Sequence, residues 1–199
     1  MQSTCPICDS PFFSSKINTG LCLVTKCETC QHQYTLENEV YLKEVYDESY
    51  FEEMHKNWFA VPQTKLFRKT TDIINRYINE VNIDSRELRI LDVGCGKGAL
   101  LSYIRNKFDS AHLEGIDLSE PLKDLDPSII IRKSSIENFT VEKEYNVIVS
   151  TAVIEHIANV KNFVAKIKKS VRSPGIVIII TMDTNTPLYN VAKLARLFG

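Results

Sequence analysis

The stretch Arg89–Leu100, R-I-L-D-V-G-C-G-K-G-A-L, decides the fold of this chain. A short apolar run ends in three alternating glycines, Gly94, Gly96 and Gly98, and an amphipathic run begins at Ala99. This order predicts a strand, a tight turn and a helix, because glycine is needed where the backbone bends sharply or lies against a ligand. We expect the amides at the start of the helix to be unpaired and to carry the positive end of its dipole. The stretch therefore predicts a nucleotide or cofactor cradle at the carboxyl end of a first parallel strand.

Beyond this turn, short apolar runs alternate with helical periodicity. Further strands are predicted at residues 112–116, 129–132, 145–150 and 176–180. The last of them is β-branched throughout, which is typical of a strand buried on both faces. A helix with Val164 on its inner face is predicted before it, and another helix is predicted at residues 64–81. The alternation predicts an α/β fold with a doubly wound, mostly parallel sheet.

Residues 1–40 form a separate unit that carries two C-x-x-C pairs. The pairs are Cys5 with Cys8 and Cys27 with Cys30, and 18 residues, which suit a hairpin, lie between them. Two such turns supply the four soft ligands of a tetrahedral zinc site, as in a zinc ribbon. Metal binding would then provide much of the folding free energy of so small a unit. Redox-active dithiols are the alternative, which we disfavour because that motif usually opens a helix in a βαβ unit.

The other segments are assigned by composition. Residues 41–63 are rich in aromatic side chains and are predicted to dock the metal unit on the main domain, or to form a wall of the substrate site. Residues 64–199 are assigned to the cofactor-binding core. The apolar segment Leu188–Phe198 is expected to pack against something else, such as a second copy of this chain or a partner chain.

Charge and hydropathy restrict the partners. The chain has 24 basic and 25 acidic side chains and a pI near 6.4, so nothing indicates a large polyanion as partner. Residues 1–40 contain two lysines and four acidic residues, whereas a unit that binds the phosphates of a nucleic acid should be basic. We therefore disfavour nucleic acid. No apolar run is long enough to span a bilayer and the N-terminus does not read as a signal peptide, so a cytoplasmic location without membrane contact is expected.

Two kinds of cofactor fit the glycine turn. Gly94-x-Gly96-x-x-Ala99 matches the dinucleotide pattern, and Asp117 after the second strand could then hold a ribose. The alternative takes account of Asp92, an acid inside the strand just ahead of the glycines. An acid is unfavourable beside a pyrophosphate, and it is favourable beside a cofactor that carries an ammonium and a sulfonium.

The stretch Leu91–Gly98, L-D-V-G-C-G-K-G, resembles the class I S-adenosylmethionine-dependent methyltransferases, whose small-molecule members read L-D-x-G-C-G-x-G. The resemblance continues through Gly115–Ser119 and through Val147–Ile157, which contains an E-H motif, and it covers roughly residues 65–185. It implies a Rossmann-like core that binds S-adenosylmethionine. Members usually complete the sheet with two further strands that this sequence lacks, so the core is expected to be incomplete at its C-terminus.

The resemblance also implies contacts to the methionine and ribose parts of the cofactor. Gly94, Cys95 and Gly96 would lie against the methionine moiety, with Asp92 near its ammonium group. Asp117 would accept hydrogen bonds from both ribose hydroxyls, since a carboxylate has two oxygens.

A second set of implied contacts surrounds the adenine and the methyl group. Leu118 would flank the adenine, and Ser135 and Ile136 match the position that reads its edge. Many members have Asp where this chain has Ser135. Thr151 and Ala152 would line the cofactor near the methyl group.

The order of the cysteine unit, the aromatic connector and the cofactor-binding core resembles that of methyltransferases found with cell-surface polysaccharide and sugar-modifying pathways. It implies methyl transfer to a small-molecule acceptor of sugar type. The alternatives are an RNA methyltransferase with a zinc ribbon and, because the core is expected to be incomplete, a non-catalytic cofactor-binding or interaction module. His156 is expected to orient the pocket, because no neighbouring residue holds it beside a substrate proton. No catalytic residue is predicted.

Overall fold

A computed structural model describes residues 4–18, 23–35, 64–118 and 125–181. Within these ranges the chain forms eight strands: β1 (Phe13–Asn18), β2 (Leu23–Cys27), β3 (Gln33–Thr35), β4 (Arg89–Val93), β5 (His112–Asp117), β6 (Ile129–Lys133), β7 (Tyr145–Thr151) and β8 (Val171–Ile180). The helices are α1 (Thr64–Val81), α2 (Ala99–Arg105) and α3 (Val160–Ser170), with a 3₁₀ turn at Ile154–His156. The aromatic segment 41–63 and the apolar segment Leu188–Phe198 lie outside the described residues. No helix in the described ranges is both long enough and apolar enough to cross a membrane.

The first three strands form a small antiparallel sheet in the order β1-β2-β3. The hairpin predicted between the two cysteine pairs is confirmed, since Phe13 pairs with Cys27 and Asn18 pairs with Leu23. Among the described residues, its buried apolar cluster consists of Cys5, Cys27 and Tyr34. This amount of apolar burial is small against the entropy of ordering such a unit, so a bound metal would be a useful further source of stability.

The larger sheet is parallel and has the order β6-β5-β4-β7-β8, which confirms the predicted doubly wound sheet. The chain moves outward from β4 to β5 and β6, then returns to the other side of β4 for β7 and β8. Val93 at the end of β4 lies beside Ile116 of β5 and Ser150 of β7. The strand order thus reverses at β4, and ligands of such sheets bind outside the carboxyl ends of the strands at this point.

Strand β4 is buried on both sides, so its side chains enter two separate cores. Ile90 packs in the core that is covered by α1 and α2. Leu91 and Val93 pack in the opposite core with Phe163 and Ile167 of α3. Helices on both faces of a parallel sheet explain why the apolar run around Asp92 is continuous.

Two expectations about burial were wrong. In β8, Ile178 is 7% exposed, but Val177 and Ile179 are 36% and 40% exposed. The reason is that β8 is an edge strand of the described sheet and, from Ile176 onward, only one of its faces packs against a core. Val164, expected on the inner face of α3, is also exposed, so the buried stripe of this helix is narrower than its apolar residues suggest.

Candidate functional site

The glycine turn lies directly after β4, at the reversal point of the sheet. Gly94, Gly96 and Gly98 have φ values of 74°, 53° and 85°, in the left-handed region that favours glycine. A Cβ placed on Gly94 would lie 2.1 Å from Cγ2 of Val153. Gly94 therefore lets the segment after β7 lie against the turn, a contact that the sequence patterns did not reveal.

The amides of this turn are used within the protein. The N–H groups of Gly94 and Cys95 donate to the Ile116 carbonyl at 2.8 and 3.1 Å. The N–H of Gly96 donates to Oδ2 of Asp117 at 2.7 Å. The expectation of unpaired amides concerns the start of α2 at Ala99 and stays a prediction, since these three groups lie before the helix. A pyrophosphate needs free amides and no adjacent carboxylate, so the geometry disfavours the dinucleotide alternative.

Two carboxyl groups lie at the carboxyl ends of β4 and β5. Asp92 is 2% exposed and, among the described residues, makes no side-chain hydrogen bond or ion pair. Burial, together with the negative charge of Asp117, raises the pKa of Asp92 to about 7. A buried acid beside a second acid is stabilised in its ionised form by hydrogen-bond donors or by a cation, and the described residues give Asp92 neither. A cofactor with an ammonium and a sulfonium group fits this requirement.

Cys95 packs beneath the turn. A Cβ on Gly115 would lie 2.6 Å from its sulfur, so glycine in the middle of β5 provides the space for this side chain. Burial, and then the charges of Asp92 and Asp117, raise the pKa of the Cys95 thiol, which disfavours the thiolate that a nucleophile requires. The role of Gly115 was missed by the sequence analysis. An isolated glycine within a strand, which often marks a close approach, was the signal.

The end of β7 brings polar groups and an unusual backbone conformation to the same edge of the sheet. The hydroxyl oxygens of Ser150 and Thr151 are buried and have no hydrogen-bond partner in the part of the chain that the structure describes. The next residue, Ala152, has a φ of 54°, which is uncommon for a residue with a Cβ. Buried hydroxyls without partners are costly, and they are found where a ligand or water completes them.

The residues predicted to surround the adenine differ in accessibility. Leu118 follows β5 and is exposed, as contact with a ligand requires. Ser135 is partly buried, and its carbonyl accepts the N–H of Phe139 at 3.0 Å. Ile136 is buried in the core on the α3 side of the sheet, so it can offer a ligand only its backbone. The contacts of these residues with adenine stay predictions.

The four cysteines of the N-terminal unit converge. Their sulfur atoms all lie within 4.8 Å of one another, and the pairs Cys5–Cys30 and Cys8–Cys27 are each 3.6 Å apart. Four sulfurs held tetrahedrally at about 2.3 Å from zinc would be about 3.8 Å apart, so the cluster fits this metal. The backbone N–H of Cys30 donates to the sulfur of Cys27 at 3.5 Å and lowers the pKa of Cys27 to about 6. Cys27 can thus present a thiolate to a metal, whereas burial and the neighbouring sulfurs raise the pKa of Cys8 and Cys30, so a bound cation would be needed to hold these two as thiolates.

The two cysteine turns have the same backbone geometry. The N–H of Asp9 donates to the Cys5 carbonyl and that of Gln31 donates to the Cys27 carbonyl, each at 3.0 Å. Asp9 and Gln31 have φ values of 58° and 63°. We call each such turn a cysteine knuckle: the first covers Cys5–Asp9 and the second covers Cys27–Gln31. Two matched knuckles facing each other form a closed four-ligand site, the arrangement of a structural metal rather than a catalytic one.

The fold and the glycine turn together define the class as a Rossmann-like class I methyltransferase core. A family model described as "Methyltransferase domain" matches residues 63–198, and the chain belongs to this family. The matched region begins after the cysteine unit, which the family model does not include.

Curated relatives match the same region. The ubiquinone biosynthesis O-methyltransferase of Rickettsia bellii (strain OSU 85-389) is 29% identical over 122 residues, covering 56% of this chain and 49% of the relative. The malonyl-[acyl-carrier protein] O-methyltransferase of Priestia megaterium is 25% identical over 120 residues, covering 56% and 44%. The chain thus spans about half the length of these two relatives.

Solved structures share the fold. The plantazolicin methyltransferase BpumL, in complex with a pentazolic desmethylPZN analog and SAH, is 20% identical with a TM-score of 0.54, covering 78% of this chain and 66% of that one. Streptomyces venezuelae DesVI is 16% identical with a TM-score of 0.51, covering 66% and 57%. At these identities the likeness shows the architecture of the core.

Proposed function

We propose that this protein transfers the methyl group of S-adenosylmethionine to a small-molecule acceptor. The observation that carries the proposal is the pair Asp92 and Asp117 beside a glycine turn in which the amides of Gly94, Cys95 and Gly96 are already paired. This combination attracts positive charge and offers little to a pyrophosphate. Membership in the methyltransferase domain family and the SAH in the BpumL structure support the same cofactor.

The residues of the pocket would bind and orient the cofactor. Bound S-adenosylmethionine supplies a methyl group that is already activated on a sulfonium, so alignment with the acceptor can provide much of the rate. Asp92 would hold the ammonium group in a buried position, and Asp117 would accept ribose hydroxyls while it receives the Gly96 N–H. Thr151 would supply a polar contact near the methyl group. No residue of the pocket is assigned as a base.

For the acceptor, we propose a hydroxyl of a sugar-type small molecule. The curated relatives are named as O-methyltransferases, which supports oxygen as the accepting atom. The order of the cysteine unit, connector and core resembles that of sugar-modifying methyltransferases, which supports a sugar-type acceptor. The balanced charge of the chain supports a small molecule over RNA.

The acceptor proposal is tested by following S-adenosylhomocysteine formation and product mass with a panel of acceptors. The panel contains nucleoside diphosphate sugars, a dihydroxyphenol, a malonyl thioester and an RNA oligonucleotide at two salt concentrations. A methylated sugar is the expected product. Methylation of RNA that decreases with salt would support the RNA alternative. Tight S-adenosylhomocysteine binding without transfer to any acceptor would support a non-catalytic module.

We further propose that Cys5, Cys8, Cys27 and Cys30 hold one structural zinc ion. Cys27 of the second knuckle is fully buried, so Cys27→Ser should remove the ion, whereas the control Cys95→Ser, in the core, should retain it. Metal analysis of the purified chains gives the stoichiometry. One zinc per chain in the wild type and the control is expected, and iron or no metal in the wild type would contradict the assignment.

A further inference from the structure

The first cysteine knuckle contacts helix α3 of the methyltransferase core. The ammonium of Lys161 donates to Oδ2 of Asp9, and the two groups form an ion pair. Beside this pair, Ile7 lines a largely apolar cleft with Val160 and Val164. Ile7 and Val164 are both exposed, so the apolar side chains of the two units face each other across an open cleft, and the ion pair is the direct contact between the units.

The geometry of the first knuckle positions the two side chains that face α3. Ile7 lies between the ligands Cys5 and Cys8, and Asp9 follows with its left-handed backbone and its N–H bonded to the Cys5 carbonyl. This conformation belongs to a turn whose two sulfurs are held together. Since the apolar cluster of the unit is small, loss of the metal would release Ile7 and Asp9 from α3.

A continuous series of contacts connects α3 to the glycine turn. The helix begins after Asn159, whose side-chain oxygen accepts the Asn162 N–H at 3.0 Å. The residues just before it form the Ile154–His156 turn, in which Ile154 packs against the α3-side core. Val153 precedes this turn and lies against Gly94. Val153 and α3 are therefore joined by a short segment and pack against the same core, which offers a route for coupling between α3 and the glycine turn.

We propose that the first cysteine knuckle is a metal-dependent clamp on α3, through which occupation of the four-cysteine site raises the affinity of the glycine turn for its cofactor. The inference rests on the function proposed above. Its two states are the metal-bound knuckle, engaged with α3, and the metal-free knuckle, released from it. Thermodynamic linkage requires that the cofactor raise the affinity for the metal by the same factor.

The first experiment measures the dissociation constant of S-adenosylhomocysteine by calorimetry on the full chain, with zinc bound and after removal of zinc by a chelator. About tenfold weaker binding is expected without zinc, within the usual range of coupling between sites. The reciprocal measurement is a chelator competition with and without saturating S-adenosylhomocysteine, and it should return the same factor. Neither readout depends on catalytic activity.

Variants separate the clamp from the metal site. Asp9→Asn removes the charge but keeps a residue that tolerates the left-handed conformation, and Lys161→Gln removes the partner charge. Each variant should keep one zinc. Each should also reduce the ratio of S-adenosylhomocysteine affinities with and without zinc, by up to about fivefold because the pair is solvent-exposed. The double variant should match the singles. Ile7→Ser should reduce the zinc dependence of S-adenosylhomocysteine affinity as well. Lys168→Gln, on an exposed part of the same helix, is the control.

The possible failures are distinguishable. Equal S-adenosylhomocysteine affinity with and without zinc would overturn the clamp and leave the proposed function intact. Absence of S-adenosylhomocysteine binding in the zinc-loaded chain would overturn both. Additive effects of Asp9→Asn and Lys161→Gln would show that their contact does not transmit the coupling.

Discussion

Two acidic residues on neighbouring central strands are buried to a similar degree but differ in their surroundings. Asp92 of β4 is 2% exposed and Glu114 of β5 is 8% exposed. Glu114 accepts the Nε–H of Arg132 and the hydroxyl of Tyr145, each at 2.6 Å. Asp92 has no such partner among the described residues, and its pKa is raised to about 7.

The difference separates a structural charge from a ligand-binding one. A buried acid with two donors is tolerated because hydrogen bonds replace the lost water, and Glu114 connects three strands in this way. A buried acid without donors is costly and persists where a ligand supplies the opposite charge. The unpartnered acid lies beside the glycine turn, and the partnered one lies on the opposite face of the sheet.

The change with the largest expected effect leaves Asp92 and Glu114 in place and adds a side-chain atom to the glycine turn. In Gly94→Ala, the new Cβ would lie 2.1 Å from Val153, and the left-handed backbone alone costs about 1–3 kcal/mol. We expect S-adenosylhomocysteine binding to fall below detection in calorimetry and the urea midpoint to decrease. Adding Val153→Ala should restore part of both, since it removes the clash and leaves the backbone strain. Wild-type affinity in Gly94→Ala would show that the turn does not contact the cofactor.

The next change removes the unpartnered charge and should move stability and affinity in opposite directions. The folded pKa of Asp92 is raised from 3.8 to about 7, so the carboxyl's contribution to stability is present below pH 4 and is lost as the pH rises toward 7. Asp92→Asn should therefore stabilise the cofactor-free protein at neutral pH, by at most about 4 kcal/mol. The same variant should bind S-adenosylmethionine about tenfold more weakly or worse.

Urea unfolding between pH 4 and 8 tests the stability half of this prediction, with calorimetry for the affinity. The wild type should lose stability across this window, and Asp92→Asn should show a flatter profile. Asp117→Asn is the matched control, because its amide oxygen can still accept the Gly96 N–H while the neighbouring charge is gone. In that control the stability loss should move to lower pH. A stability decrease in Asp92→Asn at pH 7 would contradict the assignment of an unpartnered acid.

The sequence predicted the parts of this site that depend on spacing within one segment. The strand, the three glycines and Asp92 are contiguous, so their order alone predicts a turn at the end of a strand. The two C-x-x-C pairs are equally local, and the sulfur positions agree with the predicted metal cluster. The doubly wound sheet followed from the alternation of apolar runs, which records burial on two faces.

Other features depend on contacts between distant segments and have no local pattern. Val153 over Gly94 and Lys161 beside Asp9 join residues that are far apart in the chain. The pairing of the Gly94 and Cys95 amides depends on where the carbonyl of Ile116 lies, which no local pattern shows. The exposure of β8 depends on strand order, which β-branched composition does not report.

A smaller effect is expected when the partnered acid loses one donor. Tyr145→Phe removes the hydroxyl that donates to Oε2 of Glu114 at 2.6 Å and leaves a buried oxygen without a partner. The cost should be about 1–3 kcal/mol in urea unfolding. Because this contact is on the opposite face of the sheet from Asp92, S-adenosylhomocysteine affinity should be unchanged. A tenfold loss of S-adenosylhomocysteine affinity in Tyr145→Phe would contradict the assignment of Glu114 as a structural acid and Asp92 as a ligand-binding one.

The smallest effect is expected at Arg132, the exposed hydrogen-bond partner of Glu114. Arg132 donates to Oε1 of Glu114, but its side chain is 48% exposed, so water replaces much of what Arg132→Gln removes. The loss in urea unfolding should stay below about 1 kcal/mol and should shrink further at high salt. Arg86→Gln, which breaks the more exposed pair with Asp84, serves as the control and should change stability still less. A loss at Arg132 as large as that of Tyr145→Phe would mean that Glu114 depends on charge pairing rather than on its buried hydrogen bond.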